Sequence, residues 1–178
     1  MLTERLELRN FQEKDLDDLF DYAKSPLVGP NAGWPVHQTK ADSKEVLQRF
    51  IQDPYEFAVV WRETGKVIGG LGLKERRKGE EVVPHQREVG YVLHPDYWGR
   101  GIIPEAVARI LEYGFETLEV EKIWCEHYDF NDKSKRVVEK SGFVYQFTET
   151  KTLPLLNDQK VVSLNYVMTK EEYRQQIK

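Results

Sequence analysis

The chain has 178 residues, of which 40% are hydrophobic and 31% are charged, and its formal net charge is −4. Such a composition is ordinary for a globular protein, so we expect one domain over residues 1–178 with a sizeable core. The acidic balance provides no footprint for nucleic acid, which usually needs a basic patch. No apolar stretch approaches the roughly 18 residues of a membrane span, and the N-terminus lacks a signal-peptide pattern. The sequence therefore predicts neither a nucleic-acid partner nor a membrane partner.

Cysteine and histidine usage argues against redox and metal chemistry. Cys125, the one cysteine, cannot form an internal disulfide, which favours the cytoplasm as the location. It lies in an apolar stretch, and we interpret it as a small core residue rather than a nucleophile. The 4 histidines show no metal-ligand spacing with Cys125 or with nearby carboxylates, so we expect no metal. We interpret His127 as a satisfied structural histidine, although its strand would allow it to reach an active cleft.

The first half of the chain alternates helices and strands. Thr39 lies where a helix cap is expected, and Asp42 follows at the capping-box distance, although Glu or Gln is the usual residue there. The strongly charged residues 74–85 are expected to form a mobile loop. The predicted elements are a strand at 4–9, a helix at 15–23, an irregular segment at 25–37, a helix at 40–52, and strands at 56–62 and 66–73.

The second half continues this mixed order. Gly142 suits the position just after a helix, where a left-handed backbone is common. The predicted elements are a strand at 86–93, a helix from Pro104 to about Leu118, a strand at 122–128, a helix at 132–141, strands at 143–150 and 160–168, and a helix at 170–178. The order predicts an α/β (α+β) fold with a largely antiparallel central sheet flanked by helices.

Residues 90–106 join a strand to a helix through a tight glycine turn. Gly99 and Gly101 bracket Arg100, so the backbone can turn sharply and approach a ligand without an intervening Cβ. Pro104 suits the first helical position, where its missing N–H would have no partner. The unpaired N–H groups and the dipole of a helix start favour an anion, above all a phosphate or pyrophosphate. An ordinary strand–turn–helix connection remains the alternative, since the spacing fits neither the Walker loop nor the dinucleotide fingerprint.

Tyr97-Trp98-Gly99-Arg100-Gly101, followed by Pro104-Glu105-Ala106, spans this turn. The run is similar to the acetyl-CoA pyrophosphate loop of the GNAT superfamily of N-acetyltransferases. This run most resembles the branch of Rim-type ribosomal-protein N-terminal acetyltransferases, the RimJ/RimL-like branch. Asn131-Asp132-Lys133-Ser134, followed by Glu139-Lys140-Ser141-Gly142-Phe143, resembles the family's second motif. The resemblance covers nearly the whole chain and implies the GNAT fold, acetyl-CoA as cosubstrate and an amine as acceptor.

The resemblance assigns acetyl-CoA binding to three groups of residues. The main chain at Val92 and Leu93 would pair with the pantetheine arm and polarise the thioester carbonyl. Asn131 and Ser134 would contact the pantetheine or phosphate region; without the resemblance, Asn131 reads as a helix cap and Ser134 as a first-turn residue. The turn that holds the pyrophosphate would consist of Gly99, Arg100, Gly101, Ile102 and Ile103. Ile103 is bulky for this place and the following proline lacks an N–H, which indicates a slightly altered phosphate grip.

Acetyl transfer needs a neutral amine, although a lysine-like amine has a pKa of about 10.4 and an α-amine one of about 7.7–8.0. A general base, acting directly or through water, is therefore useful. Glu88 is the candidate, since it shares a strand face with Gly90 and Val92, just upstream of the expected acetyl position. Many GNAT enzymes use a glutamate on this strand. The alternative is that Glu88 only pairs with Arg87 or with the charged segment 74–85.

Val138 departs from the family pattern, because many GNAT enzymes have a tyrosine there that protonates the CoA thiolate. Valine cannot donate a proton. Ser141, Tyr128, water, or unassisted departure of the thiolate remain open as substitutes.

The acceptor site is expected to be built by residues 25–37 and the late hairpin, with Trp34 and His37 as candidate substrate-binding residues. Trp34 also reads as a plug over the core. The branch resemblance favours a protein N-terminal amine, while a polyamine, an amino acid or an aminoglycoside remains open. A CoA-binding module with little catalysis and a purely structural domain also remain open, and so do a monomer and a homodimer.

Overall fold

The computed structural model describes residues 1–177, and one seven-stranded sheet runs through them in the order β1-β2-β3-β4-β5-β7-β6. The strands are β1 (Leu6–Asn10), β2 (Glu56–Trp61), β3 (Lys66–Lys78), β4 (Glu81–Leu93), β5 (Lys122–Tyr128), β6 (Val144–Leu153) and β7 (Gln159–Thr169). The helices are α1 (Leu16–Ala23), α2 (Lys40–Gln52), α3 (Ile102–Glu112), α4 (Asp132–Lys140) and α5 (Lys170–Gln176). Neighbouring strands are antiparallel except β4 and β5, which are parallel. The predicted fold class, a largely antiparallel sheet flanked by helices, is confirmed.

The core lies on both faces of the sheet. On one face, Ile110 of α3 and the following Phe115 are fully buried with Ile68 of β3. On the other face, Leu19 of α1 and Leu47 of α2 are buried against Ala58, Val60 and Val67. Because helices cover both faces, β3 buries consecutive residues and reads as an apolar run rather than as an alternating strand.

Helix α2 begins and ends where the sequence predicts. The Thr39 hydroxyl accepts the Asp42 N–H at 3.3 Å, and the Asp42 carboxylate accepts the Thr39 N–H at 2.8 Å. This reciprocal arrangement is a capping box, so the shorter aspartate reaches as well as the usual glutamate. Gly142 likewise follows α4 with a φ of +79°, as expected for the residue after a helix.

The prediction of a mobile loop over residues 74–85 is wrong. Strand β3 continues to Lys78 and β4 begins at Glu81, so only Gly79 and Glu80 form the turn of a hairpin. The charged side chains have partners in this hairpin, because Arg76 pairs with Glu88. The charged composition suggested a loop, although the residues form two paired strands. Gly79, at a φ of +64°, permits the two-residue turn between them.

The start predicted for the central helix is also wrong, by two residues. Helix α3 begins at Ile102, its N-cap is Gly101 at a φ of +72°, and Pro104 is the third helical residue. The missing N–H of Pro104 is still harmless, because none of the first helical N–H groups has an intrahelical partner. After Glu112 the chain continues as a π-helical turn over Tyr113–Thr117. No helix within residues 1–177 is both long and apolar enough to cross a bilayer.

Replacement of Thr39 by alanine should lower the free energy of unfolding by about 1 kcal/mol, because the cap of α2 is lost. Thr39 is exposed, so no cavity is created. The measurement is urea denaturation followed by circular dichroism. Thr39→Ser is the matched control and should keep most of the stability, since serine retains the capping hydroxyl. Equal stability of Thr39→Ala and wild type would contradict the role of the cap.

Candidate active site

The site begins where β4 and β5 separate. Their parallel pairing extends only from Gln86↔Lys122 to Val89↔Cys125. Beyond it, β4 remains paired with β3 as far as Leu93, while β5 remains paired with β7. Each strand follows its antiparallel neighbour, so a V-shaped gap opens between their C-terminal ends. A cleft of about 650 Å³ lies at this gap, a volume within the range of ligand pockets.

The main chain of β4 presents alternate residues to this gap. The His94 N–H donates to the Ile68 carbonyl at 2.7 Å, and polar groups alternate in direction along an antiparallel strand. Val92 lies two residues before His94, so its N–H and C=O also face β3. The N–H and C=O of Leu93, which lies between them, face the gap. The main-chain role predicted for Val92 and Leu93 therefore fits Leu93 and not Val92. Tyr91 lies two residues before Leu93, so its N–H and C=O also face the gap. No pattern in the sequence indicated this placement of Tyr91.

The Leu93 carbonyl is also tied to the glycine turn, because it accepts the indole N–H of Trp98 at 2.9 Å. Within the turn, Gly99 has a φ of +76°, and together with Gly101 it requires the conformational freedom of glycine. The first intrahelical bond runs from the Glu105 N–H to the Gly101 carbonyl at 3.2 Å. The N–H groups of Ile102 and Ile103 therefore have no helical partner, while their side chains are buried. Because the Ile103 side chain lies in the core, it does not crowd the turn as the sequence analysis expected.

Arg5 fixes this turn from the N-terminal segment. Its Nη1 donates to the Arg100 carbonyl at 2.9 Å, and its Nε donates to the Glu105 carboxylate at 2.7 Å. The Thr3 hydroxyl also bonds Glu105. Since these residues are far apart in the sequence, no local pattern predicted the contact. It holds the turn and the first turn of α3 in one rigid unit.

Helix α4 forms the opposite wall of the cleft. The Asn131 Oδ1 accepts the Ser134 N–H at 3.1 Å, so the interpretation of Asn131 as a helix cap is confirmed. Its Nδ2 donates to the Asn31 carbonyl at 3.2 Å, which ties α4 to the segment 25–37. The Ser134 hydroxyl lies 2.9 Å from the Tyr91 hydroxyl, and burial raises the pKa of this phenol. Tyr91 thus connects β4 to α4 across the gap.

Basic side chains of α4 line the same cleft. Lys133, Arg136 and Lys140 border it together with the glycine turn. The Lys133 ammonium lies 4.5 Å from the centre of the Trp98 ring, which is a cation–π contact. Free N–H groups at one side and three cations at the other favour a polyanionic ligand such as a nucleotide pyrophosphate.

A second and larger groove, of about 1730 Å³, lies on the face of the sheet that α1 and α2 cover. The two cavities share Glu88, Gly90 and Glu126 as bordering residues. Nothing lies within 4 Å of a Cβ built on Gly90, so the space above it is open. A ligand in the cleft and a ligand in the groove can therefore meet above Gly90.

Glu88 stands at this junction with its side chain 27% exposed. Its Oε2 is bonded to the Arg76 guanidinium, which also lies 4.6 Å from the centre of the Trp124 ring and donates to Asn165. The pairing with the charged segment, which the sequence analysis gave as the alternative, is therefore present. It holds the carboxylate at the junction of the two cavities, so both interpretations of Glu88 agree with its position.

The residues considered for protonating a leaving thiolate occupy different places. Val138 is fully buried in the core and does not border the cleft. The Ser141 hydroxyl is buried and has no hydrogen-bond partner within residues 1–177, and it does not border the cleft either. Tyr128 does border it. Burial, and then the charges of Glu126 and Glu88, raise the pKa of Tyr128 to about 12, so this phenol carries its proton at neutral pH.

Trp34 and His37 lie along the groove and not in the cleft. Their rings are 5.2 Å apart, and Trp34 packs against the buried cluster under α1 and α2, as a plug would. The His37 Nδ1 lies 2.7 Å from the Ser43 hydroxyl, and burial lowers the pKa of His37. Both residues are positioned to contact a ligand in the groove while they also close the core.

Two interpretations of the sequence are confirmed on β5. His127 is buried, with Nδ1 2.9 Å from the Tyr128 carbonyl and Nε2 3.2 Å from the Tyr166 hydroxyl, so both ring nitrogens have partners. Cys125 is 1% exposed, and burial raises its pKa to about 12, as expected of a core thiol. Residues 1–177 contain no group of three or more His, Cys, Asp or Glu side chains that could hold a metal. The absence of a metal stays a prediction.

The fold and the paired cavities define a site where a polyanionic ligand and a second ligand can meet, and comparison with known proteins identifies its family. The model of the family described as "Acetyltransferase (GNAT) domain" matches residues 5–144. The chain is 30% identical over 157 residues to the uncharacterized N-acetyltransferase YnaD of Bacillus subtilis (strain 168), and the match covers 88% of this chain and 89% of that protein. The chain belongs to the GNAT family of acetyltransferases.

Solved structures agree with this assignment. An acetyltransferase (GNAT family) from Bacillus anthracis superposes with a TM-score of 0.84 at 26% identity, covering 97% of this chain and 99% of that one. A ribosomal-protein-S5-alanine acetyltransferase from Vibrio fischeri has a TM-score of 0.76 at 21% identity, covering 97% of each chain. The microcin C7 self-immunity acetyltransferase MccE, solved with acetyl-CoA and AMP, has a TM-score of 0.76 at 17% identity, covering 94% and 93%. The last two likenesses concern the fold alone. The chain is a GNAT-type N-acetyltransferase, and acetyl-CoA is the expected acetyl donor.

Gly101→Asp should weaken acetyl-CoA binding roughly 10–100-fold more than Gly101→Asn, because a carboxylate at the turn repels the pyrophosphate. The two side chains have the same shape and both tolerate the left-handed backbone better than other residues do, so strain is matched. Isothermal titration calorimetry with acetyl-CoA measures the difference. Equal affinities of the two variants would show that the turn does not hold the phosphates.

Cys125 should resist thiol reagents in the folded protein at pH 8, because a thiol with a pKa of about 12 carries almost no thiolate there. Reaction with 5,5′-dithiobis(2-nitrobenzoic acid) should release one equivalent of chromophore only after denaturant is added. Rapid reaction of the native protein would contradict the placement of Cys125 in the core.

Proposed function

We propose that this protein transfers the acetyl group of acetyl-CoA to a primary amine that reaches it through the groove. The observation that carries the proposal is the junction of the cleft and the groove above Gly90, with the Glu88 carboxylate beside it. Acetyl transfer needs such a junction, because donor and acceptor must meet at one place. Confinement of both reactants at one point supplies much of the catalysis.

The cleft supports the donor assignment residue by residue. The free N–H groups of Ile102 and Ile103, with those of the turn formed by Gly99, Arg100 and Gly101, would hold the pyrophosphate. The main chain of Leu93 would pair with the pantetheine arm, since its polar groups face the gap. Asn131 and Ser134 border the same cleft, where Ser134 presents a hydroxyl. Val92 would contribute a side chain to the wall rather than its main chain.

The chemical step needs a base and an acid. The amine nitrogen forms a bond to the acetyl carbon and the carbon–sulfur bond breaks, so the nitrogen loses a proton and the thiolate gains one. Glu88 would take the proton, directly or through water, because Arg76 engages Oε2 and leaves Oε1 for the amine. Tyr128 would return a proton to the thiolate, since it carries one at neutral pH and borders the cleft. Tyr128 would thus take the role that many GNAT enzymes give to a tyrosine at the position of Val138.

A protein N-terminal amine is the acceptor that we propose first, with Trp34 and His37 along its path. The groove is more than twice the volume of the cleft and open to solvent, which suits an extended peptide. A small-molecule amine is the second candidate, favoured by the carboxylates Glu56, Glu88, Glu126 and Glu149 along the groove. The RimJ/RimL-like branch, a cytoplasmic location, the extent of the domain over residues 1–178 and the choice between monomer and homodimer stay predictions.

Glu88→Gln should lower kcat roughly 10²–10⁴-fold with a panel of primary amines, because the base is lost while its shape is kept. Binding of acetyl-CoA should not change. Glu81→Gln is the matched control, since Glu81 is an exposed glutamate at the start of the same strand and borders neither the cleft nor the groove. Steady-state assays of CoA release measure both variants.

Retention of full kcat by Glu88→Gln would exclude Glu88 as the base. Tight acetyl-CoA binding by wild type without turnover on any amine would instead favour a CoA-binding module with little catalysis.

A further inference from the structure

Polar side chains on the groove face form one connected chain from β4 across the sheet to β5. Its members are Glu88, Arg76, Asn165, Glu149, Lys151 and Glu126, with Ser163 as a branch. The Arg76 guanidinium bonds Glu88 at one side and donates to the Asn165 amide oxygen at 3.3 Å at the other. The Asn165 amide then donates to the Glu149 carboxylate at 3.1 Å. The chain thus runs continuously from Glu88 to Glu149.

The second half of this chain of bonded side chains returns to the gap between β4 and β5. The Lys151 ammonium lies 3.5 Å from Glu149 and is bonded to the Glu126 carboxylate. The Ser163 hydroxyl donates to the same Glu126 oxygen, Oε2, at 3.1 Å. Asn165 and Ser163 are fully buried, so the chain is anchored in the sheet rather than free in solvent.

The two ends of this chain, Glu88 and Glu126, meet at the junction of the cavities. Both carboxylates border the cleft and the groove. The parallel register pairs Val89 with Cys125, so Gly90 and Glu126 follow at the same height where the strands separate. Both carboxylates also act on the same groups, since each raises the pKa of Tyr128 and of Lys151. The open space above Gly90 therefore lies between two carboxylates.

The charges of the chain do not balance. It contains three carboxylates, Glu88, Glu126 and Glu149, but two cations, Arg76 and Lys151. Arg76 bonds Oε2 of Glu88, and Lys151 and Ser163 both bond Oε2 of Glu126. Within residues 1–177 no hydrogen bond reaches Oε1 of either carboxylate, so each keeps an acceptor oxygen for a ligand. One further positive charge beside Glu88 and Glu126 would balance the three carboxylates against three cations.

We infer that Glu126 is a second acceptor-binding carboxylate, and that the amine docks as an ammonium ion between Glu126 and Glu88, so that the enzyme selects cationic aliphatic amines. The inference rests on the proposed function and names the class of its substrate. An ammonium has three N–H donors, of which two bond the carboxylates. One proton passes to water to give the neutral amine. A second passes to Glu88 as the nitrogen–carbon bond forms and the carbon–sulfur bond breaks, while the thiolate takes a proton. An alcohol or an aromatic amine, neutral at pH 7, would leave one charge unpaired and bind less well.

Glu126→Gln should raise KM for butylamine roughly 10–100-fold, because the negative charge that attracts the ammonium is lost while an acceptor oxygen remains. KM for acetyl-CoA should stay within about twofold of wild type, which a merely structural defect would not allow. Glu171→Gln is the matched control, since Glu171 is an exposed glutamate of α5 that borders neither the cleft nor the groove. It should leave both KM values unchanged.

A binding measurement independent of turnover uses butylamine and its neutral isostere butan-1-ol, titrated without acetyl-CoA by nuclear magnetic resonance. Wild type should bind butylamine at least about tenfold more tightly, and Glu126→Gln should lose most of that difference. Lys151→Gln should increase it, because the removal of a cation leaves more negative charge at the site. If Glu126→Gln does not fold, this opposite effect of Lys151→Gln still tests the inference.

Unchanged KM for butylamine in Glu126→Gln, or no increase in Lys151→Gln, would overturn the inference while acetyl transfer itself stands. Preference for butylamine over butan-1-ol without acetyl transfer to any amine would support the inference and contradict the proposed function.

Discussion

The short parallel contact between β4 and β5 is the constraint on which the site depends. Pairing stops after Val89 and Cys125, since each strand then follows its antiparallel partner. The separation leaves polar main-chain groups of β4 without a strand to bond, and buried groups of this kind carry a cost of about 1–3 kcal/mol each when unsatisfied. A ligand with amide groups, such as the pantetheine arm expected here, can bond them as a strand would. The gap in the sheet and the affinity for such a ligand therefore have one origin.

Glycines, which lack a side chain, shape both the acceptor side and the donor side of the site. Gly90 lies opposite Gly72 on β3, so the groove floor has no Cβ at two neighbouring positions of the sheet. The Glu56 carboxylate approaches within 2.9 Å of the place a Gly72 Cβ would occupy, which shows how closely groups lie above this floor. Gly101 acts differently, because its positive φ directs the N–H groups of α3 outward. Glycines thus open the acceptor side by leaving space and the donor side by turning the backbone.

Local patterns in the sequence predicted local structure well. Thr39 with Asp42, and Gly142 after α4, are signals that act within one turn of helix, so their geometry follows from the residue types. The tie of Arg5 to Arg100 and the contact of Tyr91 with Ser134 were not predictable in this way, because they join residues that only the fold brings together. The same holds for the direction of the Val92 main chain, which depends on the register with β3. In residues 74–85, charge was read as a sign of a loop, although strands with an exposed face accept charge at alternate positions.

The charged groups on the groove face, whose side chains are 13–41% exposed, are better explained by function than by stability. Partial removal of ions from water carries a desolvation cost that a paired network often does no more than recover, so an apolar face would hold β5, β6 and β7 together at least as well. Asn165 and Ser163 are nevertheless fully buried beneath the charges and bonded to them, which fixes the carboxylates in place. Glu88 and Glu126 border both cavities. A negatively charged sheet face, held in place by buried polar residues where the two cavities meet, is suited to bind the cationic acceptor that we propose.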